Sequence, residues 1–312
     1  MKILVTGGAG FIASNLVDAL IDLDHEVSVV DNLSTGYSRN LNPRARFYEA
    51  SICSEELSAI FEIERPEIVS HLAAQIDVRK SADDPVADAT ANILGSLNVI
   101  SNCVRFGISR IVYASTGGAI YGDPQYIPAD ENHPINPISQ YGVSKHTVEH
   151  YLYMYSVVHG LDFMALRYAN VYGNRQNPFG EAGVVAIFAT QMLAGVQPTI
   201  FGPGDKTRDY VHVSDIVQAN ILALDHGKNC ICNIGTGVET SDQQVFDTLA
   251  DVLGYERPPI YAPVRPGEVY RISLGSSMAR DELGWEPRVA FHEGIARTAE
   301  YYRALAAQSS TG

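Results

Sequence analysis

The stretch Tyr141-Gly-Val-Ser-Lys145 sets a phenol and an ammonium four residues apart. On a helix, positions i and i+4 share a face, so both groups can point into one cleft. A phenol ordinarily loses its proton near pH ~10, too high for a base at neutral pH. A neighbouring cation favours the phenolate and lowers that value. Tyr141 is therefore a candidate general base for a substrate hydroxyl, with Lys145 as its electrostatic partner. Upstream, Ala114-Ser115-Thr116 ends a strand-like run and is followed by Gly117-Gly118. A strand-end hydroxyl there can hydrogen-bond the same substrate oxygen. Such residue types also occur as surface pairs and self-satisfied turns, so their meaning rests on what surrounds them.

The apolar run Ile3-Leu4-Val5 leads into GGAGFIAS, residues 7–14. Gly7 suits the tight turn after a strand. Gly10 lets the backbone approach a pyrophosphate at a helix N-terminus, where free N–H groups and the helix dipole favour anions. Ala13 stands at the third glycine position, which serves helix–strand packing and tolerates alanine. The next strand-like run ends at Asp31, whose carboxylate can accept from ribose hydroxyls and would repel a 2′-phosphate. No arginine occupies positions 32–36, Asn-Leu-Ser-Thr-Gly. The pattern therefore points to NAD rather than NADP. A nicotinamide cation adds to Lys145 in favouring phenolate at Tyr141.

These groups need a scaffold. Strand-like runs at Lys2–Thr6, Glu26–Asp31, Arg46–Glu49, Ile68–Leu72, Arg110–Ser115 and Asp162–Tyr168 alternate with amphipathic stretches Ser14–Leu23, Ser54–Ile63, Val86–Phe106 and Tyr141–His159. That βαβ rhythm predicts an α/β fold, a Rossmann-type doubly wound parallel sheet with ligands outside the carboxyl ends of its strands. After Tyr172 the rhythm loosens into GNRQNPFGEAG (173–183) and shorter elements, among them Cys230–Ile234, Ser241–Leu253 and Phe291–Ala306. The expected organisation is a dinucleotide-binding domain over 1–172. A smaller substrate-binding lobe follows over 173–312, with at least one return to the main sheet. Gln308–Gly312 is expected to fray.

Composition limits the partners. The 312 residues carry a formal charge of −14, which argues against a nucleic-acid surface. No stretch approaches the roughly 18 apolar residues of a membrane span. The N-terminus shows no signal-peptide pattern, so a cytoplasmic location is expected. Four cysteines do not make a disulfide framework in a chain of this length. Cys230-Ile-Cys232 reads either as a metal or redox pair or as two residues on one face of a buried strand. No metal-ligand spacing is evident. His71 and His212 read as structural histidines.

The chain resembles the extended short-chain dehydrogenase/reductase family, and within it the nucleotide-sugar 4-epimerases. The resemblance runs through VTGGAGFIAS (5–14), VVDNLSTG (29–36), HLAAQ (71–75), NILGSLN (92–98), STGGAIYG (115–122), YGVSK (141–145), RYANVYG (167–173), RDYVHVSD (208–215), NIGTG (233–237) and RPGE (265–268). It implies Tyr141 as base, Lys145 as its partner and ribose ligand, and Thr116, preferred over Ser115, as second hydroxyl. Gly7, Gly10, Phe11 and Ile12 would hold the NAD pyrophosphate; Asp31, Asn32 and Gly36 the adenosine end. Leu72, Ala73, Ala74 and Gln75 would line the coenzyme, with Asn92 and Tyr168 near its nicotinamide half. Asn170, Arg208 and Arg265 would meet the diphosphate of a UDP-sugar, Glu268 its ribose and Phe201 its uracil.

The chain departs from its relatives in places. Ser51, followed by Ile52, stands where an adenine-facing Asp is common, and Glu268 where Asp is commoner. Related 4,6-dehydratases carry Asp-Glu after the strand-end threonine, where this chain has Gly117-Gly118. The resemblance thus implies C4 oxidation of a UDP-hexose, rotation of the 4-keto sugar and re-reduction. Alternatives are epimerases of UDP-N-acetylhexosamine or UDP-glucuronate, with Ile272 near the sugar, a 4,6-dehydratase, or an idle NAD(P)-sensing protein. A homodimer is implied through Val86–Phe106 and Tyr141–His159, where Tyr151, Met154 and Tyr155 are interface or core.

Overall fold

A computed structural model describes residues 1–179, 183–264 and 269–309. Its centre is one parallel sheet of β1 (Lys2–Thr6), β2 (Glu26–Asp31), β3 (Arg46–Glu49), β4 (Ile68–His71), β5 (Arg110–Thr116), β6 (Asp162–Tyr168) and β7 (Cys230–Ile234). The order across the sheet is β7-β6-β5-β4-β1-β2-β3, all parallel. The order reverses between β1 and β4. In open α/β sheets the ligand crevice forms outside the carboxyl ends at that point.

The longer helices are α1 (Phe11–Asp22), α2 (Glu56–Glu64), α3 (Gly95–Phe106), α4 (Gln140–His159), α5 (Val184–Leu193), α6 (Val213–Asp225), α7 (Asp242–Leu253), α8 (Ser277–Leu283) and α9 (Phe291–Ser309). Successive strand residues face opposite sides of the sheet. Ile3, Val5, Val112 and Leu166 therefore pack with α1, α6 and α8 on one face. Leu4, Val69, Ile111 and Phe163 pack with α2, α3 and α4 on the other. Sheet residues buried on both faces explain the nearly unbroken apolar runs of the strands.

The expected Val86–Phe106 helix is interrupted. Pro85–Ala89 is one short helix, Thr90–Leu94 a widened π turn, and α3 begins only at Gly95. Side-chain bonds from Asn92 to a neighbouring loop accompany the widened turn. Helix α1 starts at Phe11, three residues before the stretch expected from sequence, because Gly10 already serves as its N-cap.

Beyond Tyr172, α5, α7 and α9 surround a third core of Val185, Phe188, Met192, Val245, Phe246, Leu249 and Ile295. Short strand pairs tie this part together: Asn170–Tyr172 with Tyr210–His212, Thr199–Phe201 with Ile260–Ala262, and Thr207–Arg208 with Thr240–Ser241. β7 returns to the main sheet beside β6. Cys230 and Cys232 lie on one side of β7, their Sγ atoms 3.8 Å apart, as free thiols. Where fraying was expected, α9 continues through Gln308 and Ser309, and residues 310–312 lie outside the described residues. Among the described residues no helix is long and apolar enough to cross a membrane.

Candidate active site

The glycine turn sits at the reversal between β1 and β4. Gly7 has φ +77°, and a Cβ there would lie 2.8 Å from the Ala73 nitrogen. Only glycine accepts that backbone and that approach. Gly10 caps α1 with no side-chain hydrogen bond and no acidic residue in the first turn. The first N–H groups of α1, including those of Phe11 and Ile12, therefore meet no acidic side chain or capping side chain from their own first turn, which suits an anion. A Cβ on Gly36 would meet Ala9, so the 32–37 loop lies directly on the glycine turn. Asn32 Oδ1 accepts from Ser34 N at 3.1 Å, which shapes that loop. Asp31 accepts from Ala9 N at 3.0 Å and Leu33 N at 2.8 Å. Its carboxylate thus pegs the turn, with lone pairs left for a ribose.

The loop after β4 is fixed from behind. Asn92, 1% exposed, accepts from Gln75 N at 2.8 Å and donates to Gln75 O at 2.9 Å. Gln75 turns its own amide toward Asp77 and Ser81. From sequence Gln75 is expected to line the coenzyme and Asn92 to lie near its nicotinamide half. Their side-chain amides hold the backbone of the loop that follows Leu72, Ala73 and Ala74. Ser51 Oγ accepts from Cys53 N, and Ile52 packs under Gly95. His71 is buried between Thr6 Oγ1 at 2.7 Å and Ser96 Oγ at 2.9 Å. Burial, and then the charge of Lys145, push it down to about 3, so it is neutral and structural. His212 caps α6 through Nδ1, and its buried Nε2 has no hydrogen-bond partner among the described residues.

Tyr141 and Lys145 occupy the first turns of α4, which Ser139 caps. Lys145 is 3% exposed, with Nζ 4.3 Å from the centre of the Tyr113 ring. Burial pushes its ammonium down to about 7, against the pull of Glu149 and Asp88. Tyr141 departs from the sequence reading. In the protein alone burial raises its pKa and the charge of Asp88 raises it further. The lowered phenol expected from the lysine alone is not found, because desolvation disfavours phenolate more strongly.

Thr116 and Ser115 face opposite sides of β5. Ser115 Oγ donates to Glu149 Oε1 at 2.6 Å, inside a buried cluster in which Arg167 clasps Glu149 at 2.9 and 2.7 Å. Thr116 lies on the cleft side. A Cβ built on Gly118 would be 3.5 Å from Asn170 Oδ1 and 4.0 Å from Thr116 Oγ1, so those two groups converge over the Gly117-Gly118 turn. Gly142 of α4 abuts the same turn: a methyl group there would lie only 2.5 Å from Ala119 O. Tyr168 pairs with Thr116 across β5 and β6, and its hydroxyl is bound to Asn220 at 2.8–3.0 Å.

On the far wall, Arg208 Nη1 donates to Thr207 O at 2.7 Å. The adjoining Asp209 is 1% exposed and accepts from Thr236 N, Thr236 Oγ1, Gly237 N and Leu274 N. Burial pushes its carboxyl up while those bonds oppose the rise. A Cβ on Gly235 would come within 2.6 Å of Asp209 Oδ2, which ties NIGTG to RDYVHVSD. Phe201 ends its short strand opposite Ala262. Ile272 is buried in the core. Arg265 and Glu268 lie outside the described residues. Asp88, Glu149, Arg167 and Asp209 are buried charges around the site that sequence reasoning did not single out. Their only sequence signal is a charge inside an otherwise apolar or motif segment.

Residues 3–235 match the model of the NAD dependent epimerase/dehydratase family. The chain is 43% identical to a UDP-glucose 4-epimerase of Mycolicibacterium smegmatis, over 97% of this chain and 99% of that protein. Its fold superposes on the UDP-glucose 4-epimerase of Thermotoga maritima, solved with UDP-glucose, at TM-score 0.97 and 48% identity, covering 98% and 100% of the two chains. The Thermus thermophilus UDP-glucose 4-epimerase, solved with NAD, gives TM-score 0.92 and 43% identity over 97% and 99%. The chain belongs to the NAD-dependent epimerase/dehydratase family. The side-chain-free cradle at Gly7 and Gly10, with Asp31 behind it, fits that coenzyme.

Proposed function

We propose that this enzyme interconverts UDP-glucose and UDP-galactose by inverting C4 of the sugar. The observation that carries the choice within the family is the turn after β5. Thr116 and Asn170 converge on Gly117-Gly118, which brings no carboxylate to the cleft. Loss of water beyond a C4 ketone requires an acid and a base at the sugar. A side chain at 117 would have to displace the buried Leu274 side chain, whose Cδ1 lies 2.2 Å from where its Cβ would sit.

NAD bound in its oxidised form would supply a hydride acceptor for C4 and a positive charge that favours the phenolate of Tyr141. Tyr141 takes the proton of the C4 hydroxyl, and Thr116 orients that oxygen. Lys145 balances the phenolate charge. The 4-keto sugar turns about its diphosphate, which Arg208 and Asn170 hold, and Arg265 joins them. Arginine suits this because its planar fork matches phosphate oxygens. Tyr141 then returns the proton to the oxygen at C4 as hydride arrives on the opposite face. Phe201 and Glu268 receive the uridine.

The same reading makes the enzyme a cytoplasmic homodimer. All four thiols are free, as expected of a reducing compartment. On α4, Tyr153, Val157 and Val158 are 63%, 68% and 62% exposed, an apolar face suited to a second copy. Tyr151 and Tyr155 pack partly on the core, whereas Met154 is exposed. The purified protein, incubated with UDP-galactose, should yield UDP-glucose by NMR. No conversion with NAD present refutes the assignment. UDP-N-acetylglucosamine and UDP-glucuronate in parallel define the tolerated sugar.

A further inference from the structure

Asp88 is 1% exposed and has no ion-pair partner among the described residues. A bare buried carboxylate is costly unless its lone pairs are filled. Here they are. Oδ1 accepts from Ser81 Oγ at 2.6 Å, Asn92 Nδ2 at 2.9 Å and, more weakly, Gln75 Nε2 at 3.4 Å. Oδ2 accepts from Ser144 Oγ at 2.6 Å. Ser144 lies between Tyr141 and Lys145 on α4. Asn92 clamps the backbone of Gln75, next to the residues that line the crevice after β4. One side chain thus joins the wall that carries the base to the wall that lines the coenzyme.

Its charge is placed differently from that of the other carboxylate nearby. Around Lys145 stand Glu149 and Tyr141 on its own helix, Tyr113 on β5, His71 on β4 and Asp88 on the 85–89 helix. Tyr168 on β6 faces Tyr141. Glu149 is held bidentately by Arg167 and also meets His146. His71 is neutral at working pH. Asp88 acts electrostatically on both Tyr141 and Lys145, and among the described residues its side-chain oxygens are bound by neutral donors.

We propose that Asp88 is a positioning residue for the Tyr141–Lys145 pair, tethering α4 through Ser144 and setting the field in which both groups change charge. This deepens the epimerase reading and rests on it for the turnover measurements alone. Loss of the negative charge removes what opposes deprotonation of Lys145 and what opposes ionisation of Tyr141. Both groups then titrate at lower pH, so both limbs of a kcat–pH profile move the same way. Loss of the Ser144 tether relaxes geometry but leaves the charge in place.

The test uses the full-length enzyme as purified. Asp88→Asn should lower kcat about 10-fold or more, with KM for UDP-galactose within about 2-fold. Its kcat–pH profile should move to lower pH by roughly half a unit to one unit. The ¹³Cε resonance of Lys145, assigned by Lys145→Arg, should titrate at correspondingly lower pH. Ser144→Ala should lower kcat several-fold and leave the profile in place. A merely structural Asp88 would reduce amplitude without moving either limb or the Lys145 resonance, and that result overturns the proposal. If Asp88→Asn does not fold, Ser144→Ala decides: wild-type kcat there also overturns it. If the unsubstituted enzyme converts no UDP-hexose, the epimerase reading fails, and the Lys145 titration still decides the role of Asp88.

Discussion

The glycine cradle and the Tyr141 wall face one crevice but are held in different ways. The cradle is built from neighbours in sequence: a turn, a helix start and Asp31 at the end of the next strand. Its working groups are backbone N–H groups, and its requirement is absence of side chains. The Tyr141 wall is held by residues far away in the chain. Ser144 reaches Asp88, and Glu149 reaches Ser115 and Arg167. A backbone site needs clearance, whereas a base needs a set field, and fields come from buried charges brought together by the fold.

The largest effect should come from the base itself. Tyr141→Phe should reduce turnover about 10³-fold while coenzyme content, measured on the denatured protein, stays at the wild-type level. Wild-type turnover would remove Tyr141 from its role. Next is the charge cluster behind it. Burial alone would push Glu149 up, but Arg167, with His146 and Ser115, brings it down to about 2. A depressed carboxyl stabilises the fold fully above its ordinary value of 4.5, and that stabilisation is lost as pH falls toward about 2. Glu149→Gln should therefore cost about 3 kcal/mol at neutral pH, read from urea midpoints, and flatten the acid limb of stability.

Across the crevice, Arg208→Ala should raise KM for the UDP-sugar about 10- to 100-fold with a much smaller change in kcat, as expected for loss of a charged hydrogen bond. A fall in kcat with KM unchanged would mean that Arg208 acts on the reacting sugar rather than on its anchor. The smallest effect belongs to the cradle. Gly7→Ala places a Cβ 2.8 Å from Ala73 N at φ +77°. It should lower stability by about 1–3 kcal/mol and deplete bound NAD, while the enzyme that retains NAD turns over normally.

Much of this site was legible in the chain. Gly7, Gly10 and Asp31 announce themselves because a phosphate turn needs small residues at fixed local spacing. Tyr141 and Lys145 do so because one helical turn separates them. The motif names Asn92 and Gln75, but that their amides brace a loop was not legible, since a motif shows which residue is present and not where its amide points. The choice between Ser115 and Thr116 was open in sequence. In the fold, alternation along β5 sends one hydroxyl to Glu149 and leaves the other toward the cleft.

Residue order alone is enough to specify the parallel sheet, the position of the glycine turn and the placing of Tyr141 and Lys145 one helical turn apart, because each depends on local periodicity and spacing. The charge state around that pair was set by folding. The fold buried Lys145 and half-buried Tyr141, set Asp88 beside both, and bound Glu149 to Arg167. Electrostatic strength depends on distance and on exclusion of water, and neither is written in the order of residues along the chain.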